Sequence, residues 1–227
     1  KDDKKRIAIE YSIPKWIVDH WVTHHGIETT EAIAQSFLEP VKTTVRVNIS
    51  RGSVDSIVAE LEKEGFNVEK DEILPFCLHI TGQPIINSRA FKEGYVSIQD
   101  KSSMMVAHIM NLDRNDVVLD ACSAPGGKAC HMAEILSPEG HVDATDIHTH
   151  KIDLINFNIN KLKLDNISAF QHDATEPYTR TYDKILVDAP CSGLGVLRHK
   201  PEIKYTQSKE SIQSLVELQL QILENIK

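Results

Sequence analysis

From about residue 103 the chain alternates between short apolar runs and segments with the 3.6-residue spacing of an amphipathic helix. SSMMVAHIM (102–110) predicts a helix, VVLD (117–120) a buried strand and KACHMAEIL (128–136) another helix. HVDATDI (141–147) then predicts a strand, HKIDLINFNINKLKL (150–164) a helix, and ISAFQ (167–171) and KILVDA (184–189) two more strands. The last segment, 208–226, predicts an amphipathic helix with Ile212, Leu215, Val216, Leu223 and Ile226 on its apolar face. Strands separated by helix-length segments imply a parallel sheet in a doubly wound α/β fold.

The first hundred residues mix the two periods. Residues 13–25 predict a helix, with Pro14 in the first turn, Ile17, Val18, Trp21 and Val22 on one face and Gly26 as its stop. A second helix is predicted over Thr30–Leu38, ended by Pro40. TTVRVNI alternates, which predicts a half-buried strand with Val45, Val47 and Ile49 inward. Ser53 can cap a helix to Glu64 with Ile57, Val58 and Leu61 inward, and short strands are expected near 66–69 and 76–80. The expected organisation is a linker remnant at 1–12 (KDDKKR), a small α/β RNA-binding module at 13–95 and a larger domain at 96–227.

Composition narrows the class. At 41% hydrophobic and 26% charged residues, the 227-residue chain is ordinary for a soluble protein, and its apolar runs fall short of the ~18 residues of a membrane span. Cys77, Cys122, Cys130 and Cys191 form no C-x-x-C pair, which points to a reducing, cytoplasmic setting. A net charge of −8 disfavours indiscriminate nucleic-acid binding. Two stretches run against it: Lys42, Arg46 and Arg51 without an acid, and Arg198, Lys200, Lys204 and Lys209 against Glu202. His20 and His24 stand one helical turn apart but lack a third ligand nearby, so no metal site is expected.

The candidate chemistry gathers at the strand ends, where such sheets bind ligands. The four predicted strands end in, or are followed by, Asp120, Asp146, Asp173 and Asp188. Between the first strand and its helix lies CSAPGGK (122–128), with Pro125 to stiffen the turn and Gly126 and Gly127 to let backbone approach a ligand. Asp146 stands ~20 residues further on, the spacing at which an acid meets a ribose diol. Neither the Walker A pattern nor G-x-G-x-x-G is present. The loop with three acids in register therefore suits an adenosine ligand without phosphates, and the positive sulfonium of S-adenosylmethionine tolerates the acids.

DACSAPGGK, ATDI, HDAT and VDAPCSGLGVLRHKPEIK together resemble, in order and spacing, the motifs of the RNA cytosine-5 methyltransferases of the NOL1/NOP2/Sun type. The resemblance covers residues 11–226 and departs from the family at Ala129, where Thr is usual. It implies a Rossmann-like class I S-adenosylmethionine-dependent methyltransferase sheet behind the small module. Cys122, Ser123, Ala124, Pro125, Gly126, Gly127 and Lys128 would line the cofactor, Asp146 hold the ribose and Asp173 sit at the adenine. Asp188 would lie near the methyl donor and the target base, and RNA, with 16S ribosomal RNA the expected substrate, would rest on Arg198, Lys200, Lys204 and Arg46.

C5 of cytosine is too weak a nucleophile to take a methyl group directly, so a thiolate must first add to C6, beside an acid or base. Asp188 and Cys191 supply such a pair in sequence. The resemblance implies that Cys191 assists product release, while the attacking cysteine belongs to a later motif on the next strand. That motif is absent before Lys227, so the chain is expected to be a fragment, inactive alone. Two rival readings stay open: a DNA cytosine-5 methyltransferase with Cys191 as nucleophile, and a non-catalytic RNA-binding or ribosome assembly factor.

Overall fold

The computed structural model describes residues 2–39 and 42–226, with the backbone alone at Lys209. Lys1 of the expected linker and the expected stop at Pro40 lie outside them. The chain divides into two compact units, residues 1–41 with 190–218 and residues 42–189 with 219–227. The first unit opens on helix α1 (Asp3–Glu10), where a linker was expected. Asp2 caps it by accepting from Lys5 N (3.1 Å), and Ile7 is fully buried. Asp3, Lys5 and Arg6 lie exposed on it, and the run of charges conceals this anchor in the sequence. Helix α2 (Lys15–Ser36) joins the two predicted helices across a kink at Gly26, whose φ of 78° only glycine adopts readily.

The second unit holds two sheets. In the first, β1 (Thr43–Val47), α3 (Val54–Lys63), β2 (Asn67–Lys70), β3 (Cys77–Thr81), α4 (Arg89–Lys92) and β4 (Val96–Ile98) build an antiparallel sheet in the order β2-β3-β1-β4. Ser53 caps α3 by accepting from Ser56 N, as its position predicts. Val45 and Val47 enter a core with Leu61, Leu78, Ile80 and Val96. Ile49 does not follow them, because β1 ends at Val47 and Ile49 lies exposed beyond it. The opposite face of β1 is covered as well, for Arg46 and Asn48 are each 1% exposed. Asn48 Nδ2 donates to the backbone oxygens of Gly94 (3.3 Å) and Leu162 (3.1 Å).

Helix α5 (Lys101–Ile109) leads into the second sheet. Its elements are β5 (Val117–Asp120), α6 (Gly127–Ile135), β6 (His141–Asp146), α7 (Thr149–Leu162), β7 (Ile167–Gln171) and β8 (Lys184–Leu186). All strand pairs are parallel, as the alternating pattern predicts, and the order is β7-β6-β5-β8. Val118, Cys130, Met132, Val142, Ala144, Ile152, Ile155 and Ile159 fill its core. The chain steps outward from β5 to β7 and returns to the other side of β5 for β8, which places a topological switch point between β5 and β8. β8 is shorter than KILVDA predicts because its partner β5 ends at Asp120, opposite Leu186.

The chain then returns to the first unit through a 3₁₀ turn (Leu194–Val196) and α8 (Ile203–Thr206). Leu194 and Leu197 share a buried cluster with Ile7, Ile13, Ile17, Val18, Trp21 and Ala34. Helix α9 (Lys209–Asn225) continues into the second unit, where Asn225 Nδ2 donates to Ala174 O (2.9 Å) and Glu176 O (2.6 Å). Its covered face differs from the predicted one: Ile222 is buried, whereas Val216 and Leu223 are exposed. Among the described residues, no helix is long and apolar enough to cross a membrane.

Candidate functional site

The loop that follows β5 is tied down on several sides. Ser123 N donates to Thr145 O (2.8 Å), Gly126 N to Ser123 O (2.7 Å), and Asn158 Nδ2 to Pro125 O (2.8 Å). Gly126 caps α6 at φ 94°, and a Cβ there would meet Ile155 Cγ2 at 3.1 Å, so both backbone conformation and space call for glycine. The Ala124–Pro125 peptide is cis.

This loop forms one wall of a cavity of about 210 Å³ at the β5–β8 switch point. Of the residues expected at a cofactor, Cys122, Ser123, Ala124, Pro125, Gly127, Lys128 and Asp188 line it. Lys128 Nζ donates to Asp188 Oδ2 (2.5 Å) across its mouth. Asp120, which closes β5, is 1% exposed; Ser123 and the Cys122 backbone N–H lie beside its carboxylate, but neither makes a well-formed hydrogen bond to it. Burial pushes this carboxyl up to about 7, and the negative Asp188 adds to the rise, while Ser123 and Lys128 pull the other way. Ser123 is 6% exposed, and its Oγ makes no other hydrogen bond.

The other two acids lie on the same carboxyl edge but outside the lining of this cavity. Asp146 accepts from His148 N (3.1 Å) and approaches Lys151 Nζ (3.5 Å). Asp173 Oδ1 accepts from the backbone N (2.9 Å) and hydroxyl (2.8 Å) of Thr175, which hold its carboxyl below the usual range. Cys191, Arg198, Lys200 and Lys204 belong to the first unit. Cys191 and Lys200 are exposed there, Arg198 donates to Glu39 O (2.9 Å), and Lys204 Nζ stands 5.1 Å from the Tyr205 ring centroid.

Arg46 is not available to RNA. Its Nε and Nη2 donate to the two carboxylate oxygens of Glu134 (2.9 and 2.7 Å), with both side chains buried. Its Nη1 donates to Gly127 O (2.9 Å) and to Gln99 Oε1. The alternation of TTVRVNI placed Arg46 on the outward face, but helix α6 of the parallel sheet covers that face. The sequence reading named Asp120 among the strand-end acids without giving it a role, and it passed over Gln99. Asp120 was visible as a strand end, whereas Gln99 follows a strand too short to be predicted. Asp71, Cys77 and His79 also bring possible metal-ligand atoms within 4.8 Å of one another. There, Lys101 Nζ (2.7 Å) and His79 Nε2 (3.0 Å) already meet Asp71 Oδ2 in an ion-paired network.

A parallel sheet with this switch point, glycine turn and row of strand-end acids, behind a ferredoxin-like domain, has the Rossmann-like fold of the S-adenosylmethionine-dependent methyltransferases. Residues 107–227 match the family model described as 16S rRNA methyltransferase RsmB/F, and residues 13–86 match the RsmF/B-like ferredoxin-like domain. The chain belongs to the RsmB/F family of 16S ribosomal RNA methyltransferases. It is 39% identical over 230 residues to the probable ribosomal RNA small subunit methyltransferase B of Bacillus subtilis, covering 100% of this chain and 52% of that protein. The crystal structure of PH0851 superposes with a TM-score of 0.91 at 25% identity, over 100% of this chain and 52% of that one. A methyltransferase homologue from Pyrococcus horikoshii gives 0.82 at 24% identity, over 99% and 72%. The chain thus spans about half the length of the curated relatives it matches.

Proposed function

We propose that the protein containing this chain transfers a methyl group from S-adenosylmethionine to C5 of a cytosine in 16S ribosomal RNA. The observation that carries the cofactor reading is Asp120, a buried carboxyl without a well-formed hydrogen bond to protein at the strand end beside the glycine turn. A buried polar group left unpartnered costs about 1–3 kcal/mol, and a positively charged ligand in the cavity relieves that cost. The surroundings fit the same ligand, since Asp120 and Asp188 would repel a pyrophosphate, while the carboxylate of Asp146 suits a ribose diol. When bound, S-adenosylmethionine supplies an electrophilic methyl group on a positive sulfur.

The residues of the chain divide the remaining work. In this reading Asp188, a lining residue whose carboxylate accepts from Lys128, binds the target base and exchanges its proton. Burial pushes the thiols of Cys77 and Cys122 to about 11 and that of Cys130 to about 12, so none of the three supplies a thiolate at neutral pH. Cys191 is the exposed thiol, and it follows Asp188 in the DAPC turn. In this reading it assists release of the methylated base, and a cysteine outside the present chain attacks C6. The exposed Lys200, with Lys204 and Arg198, contributes charge toward the RNA backbone. The relatives described as ribosomal RNA small subunit methyltransferase B support the substrate.

The test is the Cys191→Ser variant of the full-length protein, incubated with S-adenosylmethionine and small-subunit ribosomal RNA and run on denaturing gels. Covalent protein–RNA complexes should accumulate, and the wild type should yield 5-methylcytosine on nuclease digestion. Disappearance of the complexes would make Cys191 the nucleophile, and absence of 5-methylcytosine with the wild type would overturn the reaction.

A further inference from the structure

Three residues that line the cavity carry buried polar atoms without a well-formed hydrogen bond to protein: the Asp120 carboxylate, Ser123 Oγ, which lies beside it, and Gln99 Nε2. All three side chains are more than nine-tenths buried, Gln99 at 9% exposure. Native proteins satisfy nearly all such groups, so three on one cavity define the polarity of what fills it. The set is one carboxyl, which a cationic group beside it would keep ionised, and two neutral donors. That is the complement of an α-amino acid zwitterion, with an ammonium for Asp120 and a carboxylate for the two donors.

The direction of the Gln99 amide is fixed. A guanidinium has no acceptor, so the atom facing Arg46 Nη1 must be the amide oxygen, and the NH₂ is left as the free end. Arg46 is itself locked by two hydrogen bonds to Glu134 and one to Gly127 O. The antiparallel sheet thereby reaches through β1 to set both the first residue of α6 and the amide before α5. We propose that Gln99 is a cofactor-binding residue whose amide NH₂ contacts the carboxylate at the amino-acid end of S-adenosylmethionine, with Arg46 as the positioning residue that aims it. This assignment rests on the cofactor reading above.

Calorimetry on the full-length protein tests it without turnover, using S-adenosylhomocysteine and its decarboxylated analogue. Gln99→Met should weaken S-adenosylhomocysteine about tenfold, the scale of one hydrogen bond to a charged group, and leave the analogue nearly unchanged. Gln99→Glu keeps the bond to Arg46 but replaces the donor with a negative acceptor, and should discriminate against the carboxylate more strongly still. The double variant Arg46→Met/Glu134→Gln should show the same selective loss as Gln99→Met. Equal weakening of both ligands, or of neither, overturns the role of Gln99 while the cofactor reading stands. Failure of the wild type to bind either ligand overturns both.

Discussion

Two buried carboxylates, fourteen residues apart in sequence, have opposite surroundings. Glu134 lies on α6 under the antiparallel sheet, with each oxygen accepting from Arg46. Asp120 lies at the end of β5, with Ser123 and Cys122 beside it but no well-formed hydrogen bond to either oxygen. Both are removed from water, so exposure does not separate them. Partnership does. A buried charge that the fold has paired belongs to the architecture, and one that it leaves unpaired marks where something else is meant to bind.

The largest expected consequence comes from breaking the paired one. Glu134→Ala leaves the Arg46 guanidinium buried with only neutral acceptors, and should cost about 3–5 kcal/mol in urea denaturation of the full-length protein. Replacing both partners, as in Arg46→Met/Glu134→Leu, should recover most of that loss, because the apolar pair fills similar volume without a stranded charge. A single-variant loss below about 1 kcal/mol would mean that water reaches the seam and that the two carboxylates are less different than their geometry indicates.

Asp120 should give a smaller effect with a distinctive pH signature. Its folded value of about 7 lies above the roughly 3.9 of an unfolded aspartate, so between these values the native state binds more protons. Stability attributable to the group is full below pH ~4 and is lost as pH rises through ~7, on the order of 3 kcal/mol between pH 5 and pH 8. Asp120→Asn should remove that slope and stabilise the ligand-free protein at pH 8. Unchanged pH dependence in the variant, followed by denaturation at the two pH values, would show that the carboxylate finds a partner in solution.

How far the sequence foretold this contrast depends on which face of an element carried the information. The parallel sheet was legible because short apolar runs alternate with helix-length segments and end in, or run on to, acids, so periodicity and strand ends gave the same answer. β1 was legible on one face only. Val45 and Val47 announce their own core, but nothing in the period-2 pattern says whether the other face meets water or a second layer, and Arg46 was therefore assigned to RNA. Its basic neighbourhood strengthened the error, since a buried arginine and a phosphate-binding one look alike without the partner Glu134, 88 residues away. Helix α9 shows the same limit: it carries apolar residues around more than one face, and burial chose Ile222 over Val216 and Leu223. Gln99 was hidden for another reason. It follows a three-residue strand, and its significance lies in a hydrogen bond that only the assembled sheets create.

The smallest effect applies the same rule to hydroxyls. Thr145 and Ser123 are both buried at the strand ends, one at the close of β6 and the other in the loop after β5. Thr145 Oγ1 lies 3.1 Å from Ala121 O and 3.0 Å from the Tyr178 hydroxyl, so Thr145→Val removes made bonds without opening a cavity and should cost about 1–2 kcal/mol. Ser123→Ala removes a hydroxyl that makes no well-formed hydrogen bond, and the fold loses little, within about 0.5 kcal/mol of wild type. Ligand-free thermal denaturation of the two variants measures the difference directly. A Ser123→Ala cost equal to that of Thr145→Val would mean that the loop hydroxyl holds the fold together. The donor set at the inner end of the cavity would then reduce to the Gln99 amide alone.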